Sequence, residues 1–227
     1  MQVSTHKAQD DESQPESNHQ FKEPSLLQPN KPDSDHPTII SETRRNTMSY
    51  NPVDQFWQTE RANSLNLDIV SLTISEPSET LPNSSKDCKT ILIKGDGNCL
   101  FRSLSFVLTG SQDAHIKLRQ LLWDYMLQHK QRIDTISTTS DHVNTSKMQT
   151  LGKWGTEIEL IAFASMIDTD IVVLGPYNET EYRWLTYQPD KNLPPKVQYA
   201  KTNQKIFLTN INFHFEPVQN ISINVSI

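Results

Sequence analysis

Cysteine is scarce in this 227-residue chain, which has two, Cys88 and Cys99. That is too few for a disulfide framework or a thiolate zinc centre. Long apolar runs are missing too, and nothing approaches the roughly 18 consecutive apolar residues of a membrane span. There is no cationic excess: 21 Lys and Arg stand against 27 Asp and Glu, a formal net charge of −6. No basic cluster is interleaved with aromatics, which argues against a nucleic-acid partner. The 7 histidines are spread thinly, without HExxH or a paired-ligand spacing, so neither a metal nor an organic cofactor is implied. Met1-Gln2-Val3-Ser4-Thr5-His6-Lys7 lacks the apolar core of a signal peptide. A reducing interior, cytoplasm or nucleus, is the expected location, and it keeps a lone thiol reduced.

What the chain does contain is unevenly distributed. Positions 1–48 are mainly Gln, Ser, Asp, Glu, Asn and Pro, with hardly an aromatic. Such a stretch cannot bury enough apolar surface to offset its ordering entropy, so a disordered acidic and polar tail is expected. From Tyr50 apolar residues appear, among them Phe56, Trp57 and the run Leu67–Ile74, which reads as a strand or a docking arm. Glu76–Ser85 combines prolines with polar residues and reads as linker. The expected organisation is thus a tail over 1–48, an extension and linker over 49–86 that docks onto the domain, a folded domain over 87–219, and a C-terminal tail over 220–227.

Within the domain, Thr90–Ile93 is a short apolar run, and a helix is predicted from Cys99 to Leu108. A second helix fits Ala114–His129, with Leu118, Leu122, Tyr125 and Met126 on its apolar face. His115 and His129 are assigned solvated or capping roles there. Ile133–Thr150 is rich in Ser and Thr and reads as a loop over a site. Thr156 suits the N-cap of a helix beginning at Glu157. Glu157 and Glu159 lie two apart on that helix, do not face each other, and form no carboxylate pair. Strand patterns follow at Asp170–Leu174, Glu181–Tyr187, Lys205–Thr209 and Phe213–Val218. Helices followed by a strand cluster predict an α+β layered domain.

The most informative run is Gly95-Asp96-Gly97-Asn98-Cys99-Leu100-Phe101-Arg102-Ser103. A turn of small and polar residues delivers one cysteine to the start of an apolar helix. The unpaired N–H groups and partial positive charge of a helix N-terminus favour a thiolate, and they bind an oxyanion forming on a carbonyl attacked by that sulfur. A lone cysteine beside an apolar run is ordinarily a buried small hydrophobe. Asp-Gly-Asn, however, is turn material rather than core material. Asp96, three residues earlier, is placed to fold its carboxylate back toward an imidazole.

A thiol nucleophile needs a histidine to take its proton and later to protonate the leaving amine. His142 sits in the polar stretch. His214 alone lies in a strand pattern, where alternation sends the rings of Phe213 and Phe215 to the opposite face. For the group that orients the imidazole, Glu216 and Asn212 share the strand face of His214, and Asp96 is their rival.

These residues resemble the ovarian-tumour (OTU) family of cysteine proteases. Asp96–Ser103 is similar to the family's nucleophile motif, Trp154-Gly155-Thr156-Glu157-Ile158-Glu159-Leu160 to its second block, and Phe213-His214-Phe215 to its terminal histidine block. The resemblance implies a papain-like OTU fold, a small sheet flanked by helices. It implies Cys99 as nucleophile, His214 as general base and acid, Asp96 as part of the site, and backbone N–H groups of Asp96, Gly97, Asn98 and Cys99 as the oxyanion hole. Glu216 stands where many members carry Asp or Asn, which shifts the expected third role toward Asp96. The implied activity is that of a monomeric deubiquitinase, cutting isopeptide bonds after the C-terminal Gly of ubiquitin or within polyubiquitin through an acyl-enzyme. A cleft that admits only glycine must be narrow beside the sulfur, and Trp154, Gly155 and the aromatic neighbours of His214 are its expected walls. The alternatives are an inactive OTU-like module that binds ubiquitin, and a protease acting on a ubiquitin-like modifier or a viral or mobile-element polyprotein.

Overall fold

Five strands form one sheet in the order β1-β5-β4-β2-β3. They are β1 (Cys88–Thr90), β2 (Ile171–Pro176), β3 (Tyr182–Tyr187), β4 (Ile206–Ile211) and β5 (His214–Ile221). This computed structural model describes residues 48–221 apart from 83, 138, 179 and 180. The expected tails over 1–48 and 220–227 lie almost wholly outside the described residues. β2 runs parallel to β4, and the other pairings are antiparallel. An interior strand covered on both faces must be apolar throughout, and Ile171, Val172, Val173 and Leu174 are all buried.

Among the described residues six α-helices accompany the sheet: α1 (Gln55–Ser64), α2 (Cys99–Thr109), α3 (His115–Gln128), α4 (Lys130–Ile136), α5 (His142–Ser146) and α6 (Glu157–Ile167). The architecture is α+β, a small mixed sheet flanked by helices. Every residue of α6 from Ile158 to Ile167 is buried, the mark of a helix in the middle of the core. Its first turn is closed by a capping box: the Thr156 side chain accepts from the Ile158 N–H, and the Glu159 carboxylate accepts from the Thr156 N–H. α2 ends at Gly110, whose φ of 71° is left-handed and where a Cβ would sit 2.2 Å from the Ser71 carbonyl oxygen. Only glycine fits there.

Three segments differ from the sequence reading. Ile133–Thr150 is not an open loop: it contains most of α4 and all of α5, with Ile133, Ile136, Val143 and Met148 buried. Four apolar residues dispersed among Ser and Thr suffice, because two short helices need only a few anchors each. Leu67–Ile74 forms no strand; Val70 and Ser71 instead donate their N–H groups to the Thr109 carbonyl, and Gln58 Oε1 accepts from the Thr73 N–H. The edge strand β1 spans Cys88–Thr90, upstream of the apolar run at Thr90–Ile93, and Leu92 is exposed.

The residues before the linker pack into the core. α1 is capped by Asp54, whose carboxylate accepts from the Trp57 N–H at 2.8 Å. Trp57 is fully buried and donates its indole N–H to Thr169 Oγ1 at 2.9 Å. Arg61 donates to the Ile167 carbonyl and lies 3.6 Å over the Tyr199 ring. Tyr50 packs on Phe207 and donates its hydroxyl to the Val218 carbonyl at 3.0 Å.

Candidate active site

Cys99 opens α2, and its position is set by how α2 lies on β5. Cys99 and Ser103 are one helical turn apart, about 6 Å along the axis. Each of the two helix residues meets a carbonyl at the entry to β5: Ser103 Oγ donates to Phe215 O at 2.9 Å, and Cys99 Sγ lies 3.9 Å from Phe213 O. The thiol therefore sits beside the residue that precedes His214.

His214 begins β5 directly after a two-residue hairpin. Asn212 and Phe213 have φ of 51° and 61°, and Ile211 pairs with His214 across them. Positive φ at both central residues is the requirement of a type I′ turn, which matches the twist of the flanking strands. A bulky residue is an outlier in that conformation. Phe213 is therefore not in the strand, contrary to the alternation expected from sequence. Its ring is exposed and stacks on Trp154 with centroids 6.0 Å apart, while Phe215 is buried in the core. Asn212, in the turn, does not share the strand face of His214.

The imidazole is oriented from one side. Nε2 lies 3.1 Å from the Ile93 carbonyl oxygen, which can only accept, so the ring proton sits on Nε2 and the Nδ1 lone pair is free to act as base. Glu216 Oε1 is 3.7 Å from the same nitrogen, a charge contact rather than a hydrogen bond. Thr90 Oγ1, on β1, donates to Glu216 Oε2 at 2.7 Å and fixes that carboxylate.

Asp96 is placed differently from the sequence expectation. Its carboxylate takes the Arg102 fork, with Nε at 3.1 Å from both oxygens and Nη2 at 2.6 Å from Oδ2, and Oδ1 also accepts from the Asn98 N–H at 3.1 Å. The Arg102 side-chain hydrogen bond, helped by Asn98, holds the Asp96 carboxyl well below the usual carboxylate range. Among the described residues the carboxylate beside His214 is Glu216, not Asp96. The physical reason is local: an arginine one turn into α2 is a nearer and stronger partner for a turn carboxylate than a histidine across the cleft.

The expected oxyanion donors divide into two pairs. Asp96 N–H donates to Lys94 O, and Asn98 N–H to Asp96 Oδ1. Gly97 and Cys99 N–H have no protein acceptor among the described residues, and α2 has no side-chain cap at Asn98. Two donors therefore remain for a ligand at the helix N-terminus. Trp154 is exposed next to Gly155, where a Cβ would meet Leu100 Cδ2 at 2.3 Å.

Sequence reasoning missed the polar scaffold behind this surface. Arg119, buried on α3, donates to Asn98 Oδ1, Met148 O and Lys153 O, each at 2.9 Å. Its one advance signal is its register, four residues after His115 and three before Leu122 on the buried face. His115, expected to be solvated or capping, is buried with Nδ1 2.9 Å from Gln112 O. His142 is buried against Glu159, with Nε2–Oε1 at 2.9 Å. Burial opposes its charged form, but the Glu159 hydrogen bond and the negative charges of Glu159, Glu157 and Asp134 together outweigh it and raise the pKa. The half-buried thiol of Cys88 is pushed up to about 11 by burial, so it is a poor nucleophile. Among the described residues no His, Cys, Asp or Glu cluster could hold a metal ion.

A family model described as OTU-like cysteine protease matches residues 94–210, just over half of the chain. The chain is 33% identical over 101 residues to the OVARIAN TUMOR DOMAIN-containing deubiquitinating enzyme 10 of Arabidopsis thaliana, an alignment covering 42% of this chain and 27% of that protein. It is 22% identical over 112 residues to OTU domain-containing protein 4 of Mus musculus, covering 49% of this chain and 10% of that one. The chain thus spans about a quarter or less of the length of these two relatives. Among solved structures it is similar to the viral OTU domain protease from Dera Ghazi Khan virus, at 18% identity and a TM-score of 0.48, covering 63% of this chain and 86% of that one.

Proposed function

The chain belongs to the OTU-like cysteine protease family, and from that premise we propose that it is a deubiquitinating thiol hydrolase. The observation that supports the reading is the docking of α2 on β5: Cys99 Sγ lies 3.9 Å from the carbonyl oxygen of Phe213, the residue before His214, and His214 Nε2 lies 3.1 Å from Ile93 O. His214 Nδ1 takes the Cys99 proton, and the sulfur attacks the carbonyl carbon of the substrate's terminal glycine. The oxyanion is held by the Gly97 and Cys99 N–H groups and the dipole of α2. The imidazolium then protonates the departing lysine amine, leaving a thioester on Cys99. Water, deprotonated by the same imidazole, attacks that thioester, and the thiol is released. Glu216 stabilises the imidazolium during both halves, and Thr90 holds Glu216 in place.

Ubiquitin is the substrate favoured for two reasons. The Arabidopsis relative carries the deubiquitinating name, and the exposed rings of Trp154 and Phe213 stack on each other near Cys99, whose Sγ is 3.9 Å from Phe213 O, which would leave little room there for a substrate side chain. The test is a ubiquitin whose C-terminus bears a thiol-reactive warhead. The expected result is one covalent adduct on Cys99, absent in Cys99→Ala. Failure to label a folded chain, or efficient cleavage of peptides with bulky residues before the scissile bond, would replace this reading with a protease of another client.

A further inference from the structure

Arg119 is buried, 1% exposed, and lies 4.0 Å over the Phe101 ring. Its Nη2 bonds Asn98 Oδ1 and Lys153 O, and its Nη1 bonds Met148 O. Asn98 Oδ1 also accepts from the Gly152 N–H at 2.8 Å, and Asn98 Nδ2 donates to Asp96 O. Gly97 closes on the same loop so tightly that a Cβ there would lie 2.4 Å from Gly152 O. One guanidinium therefore joins three pieces of chain: the nucleophile turn, the loop 148–153, and through that loop the Trp154 wall. A buried cation is costly unless its environment repays the lost hydration. Burial pushes the Arg119 guanidinium down to about 10, while Glu159, Asp96 and Cys99 pull the other way, so it stays protonated at neutral pH.

We propose that Arg119 is a positioning residue for the thiol chemistry: its fork locks the nucleophile turn to the loop 148–153 and keeps a fixed positive charge behind the turn that carries Cys99. This rests on the thiol-hydrolase reading but not on the identity of the substrate. Position and charge separate by substitution. Lysine keeps the charge but cannot bond Asn98, Met148 and Lys153 together. Methionine fills similar volume and loses both.

The test uses the full chain as wild type, Arg119→Lys and Arg119→Met, with folding followed by circular dichroism. Iodoacetamide alkylation of Cys99 at pH 7, read by peptide mass so that Cys88 is separate, reports the thiolate without ubiquitin. A ubiquitin C-terminal fluorogenic amide supplies kcat and KM. For Arg119→Met, kcat should fall by up to about a hundredfold, the cost of a small misplacement, and alkylation should slow about tenfold. Arg119→Lys should alkylate within about twofold of wild type while kcat stays low. If Arg119→Met does not fold, Asn98→Ala decides, since it cuts the tie to the turn and leaves the cation. It should lower kcat and spare alkylation. A folded Arg119→Met with unchanged alkylation and kcat, or an Asn98→Ala with unchanged kcat, overturns the proposal. Wild type inert to ubiquitin, with the alkylation pattern as expected, would sink the ubiquitin reading and leave Arg119 in its role.

Discussion

On the nucleophile side of the cleft, the turn at 95–98 is held by side chains: Asp96 on Arg102, Asn98 on Arg119 and Gly152. On the histidine side, β5 is held mostly by backbone, paired with β4 on one flank and β1 on the other, and its entry is a strained two-residue turn. A side-chain network in a low-dielectric site is stiff and specific, but it fails when one member is removed, because the remaining partners are left buried and unpaired. A ladder tolerates side-chain exchange and fails through register or fraying. The nucleophile half is therefore the brittle one under mutation, and the histidine half the one that yields to strand opening.

On the proposed mechanism the largest expected effects fall on Cys99 and His214 and are the same for both halves. Cys99→Ala should reduce turnover of a ubiquitin amide to background, and His214→Ala should lower kcat by about 10² to 10⁴-fold. Both should retain the melting temperature of the parent within a few degrees. Residual turnover in Cys99→Ala would mean that the nucleophile lies elsewhere.

The next pair separates the halves. Asp96→Ala strands the Arg102 guanidinium and removes the bond to the Asn98 N–H, so it should cost about 1–3 kcal/mol of stability as well as activity. Glu216→Ala should cost less stability and act mainly on kcat with KM unchanged, since Glu216 supports only the protonated ring. Chemical denaturation and steady-state kinetics on the two variants check this. Equal losses of stability would erase the distinction.

Phe213→Gly probes the strain in the histidine half. A glycine removes the left-handed penalty, about 1 kcal/mol, so the melting temperature should rise. Cleavage of substrates ending in alanine should rise with it, because a wall of the cleft is gone. A fall in melting temperature would show that the stack on Trp154 outweighs the strain.

The smallest effect is the pH dependence of the nucleophile half. His142 has a raised folded pKa, so its contribution is complete below the ordinary histidine value and is lost as pH rises through the folded one. Urea midpoints should decline as pH rises above the ordinary histidine value. His142→Gln should flatten that decline, and an unchanged slope would assign it to another group.

The place of Cys99 at the start of α2, the strand placement of His214, the start of α6 and strands β2 to β5 were legible in sequence, because each is written in a local pattern: a turn before an apolar helix, a cap, a β-rich run. Asp96 was legible as a turn carboxylate but not in its direction, since Arg102 and His214 both suit a carboxylate and only packing chooses. Arg119 and Thr90 act across 21 and 126 positions of chain, on Asn98 and Glu216, and no short window contains both partners. The turn at Asn212-Phe213 was hidden by its aromatic, since turns of that type ordinarily announce themselves with glycine. α1 escaped because only Trp57 and Ala62 among its apolar residues reach the core.

β1 has three residues, and its pairing with β5 shifts register between Lys89 and Thr90, the residue that holds Glu216. So short a ladder at a sheet edge opens by local fluctuation far more often than the whole domain unfolds. Amide exchange of 88–90 should accordingly be faster than that of β4, and by the same opening the imidazole loses its carboxylate. On the proposed function, heating should then abolish turnover at a temperature below the melting point, with the protein still folded and recovering at once on cooling.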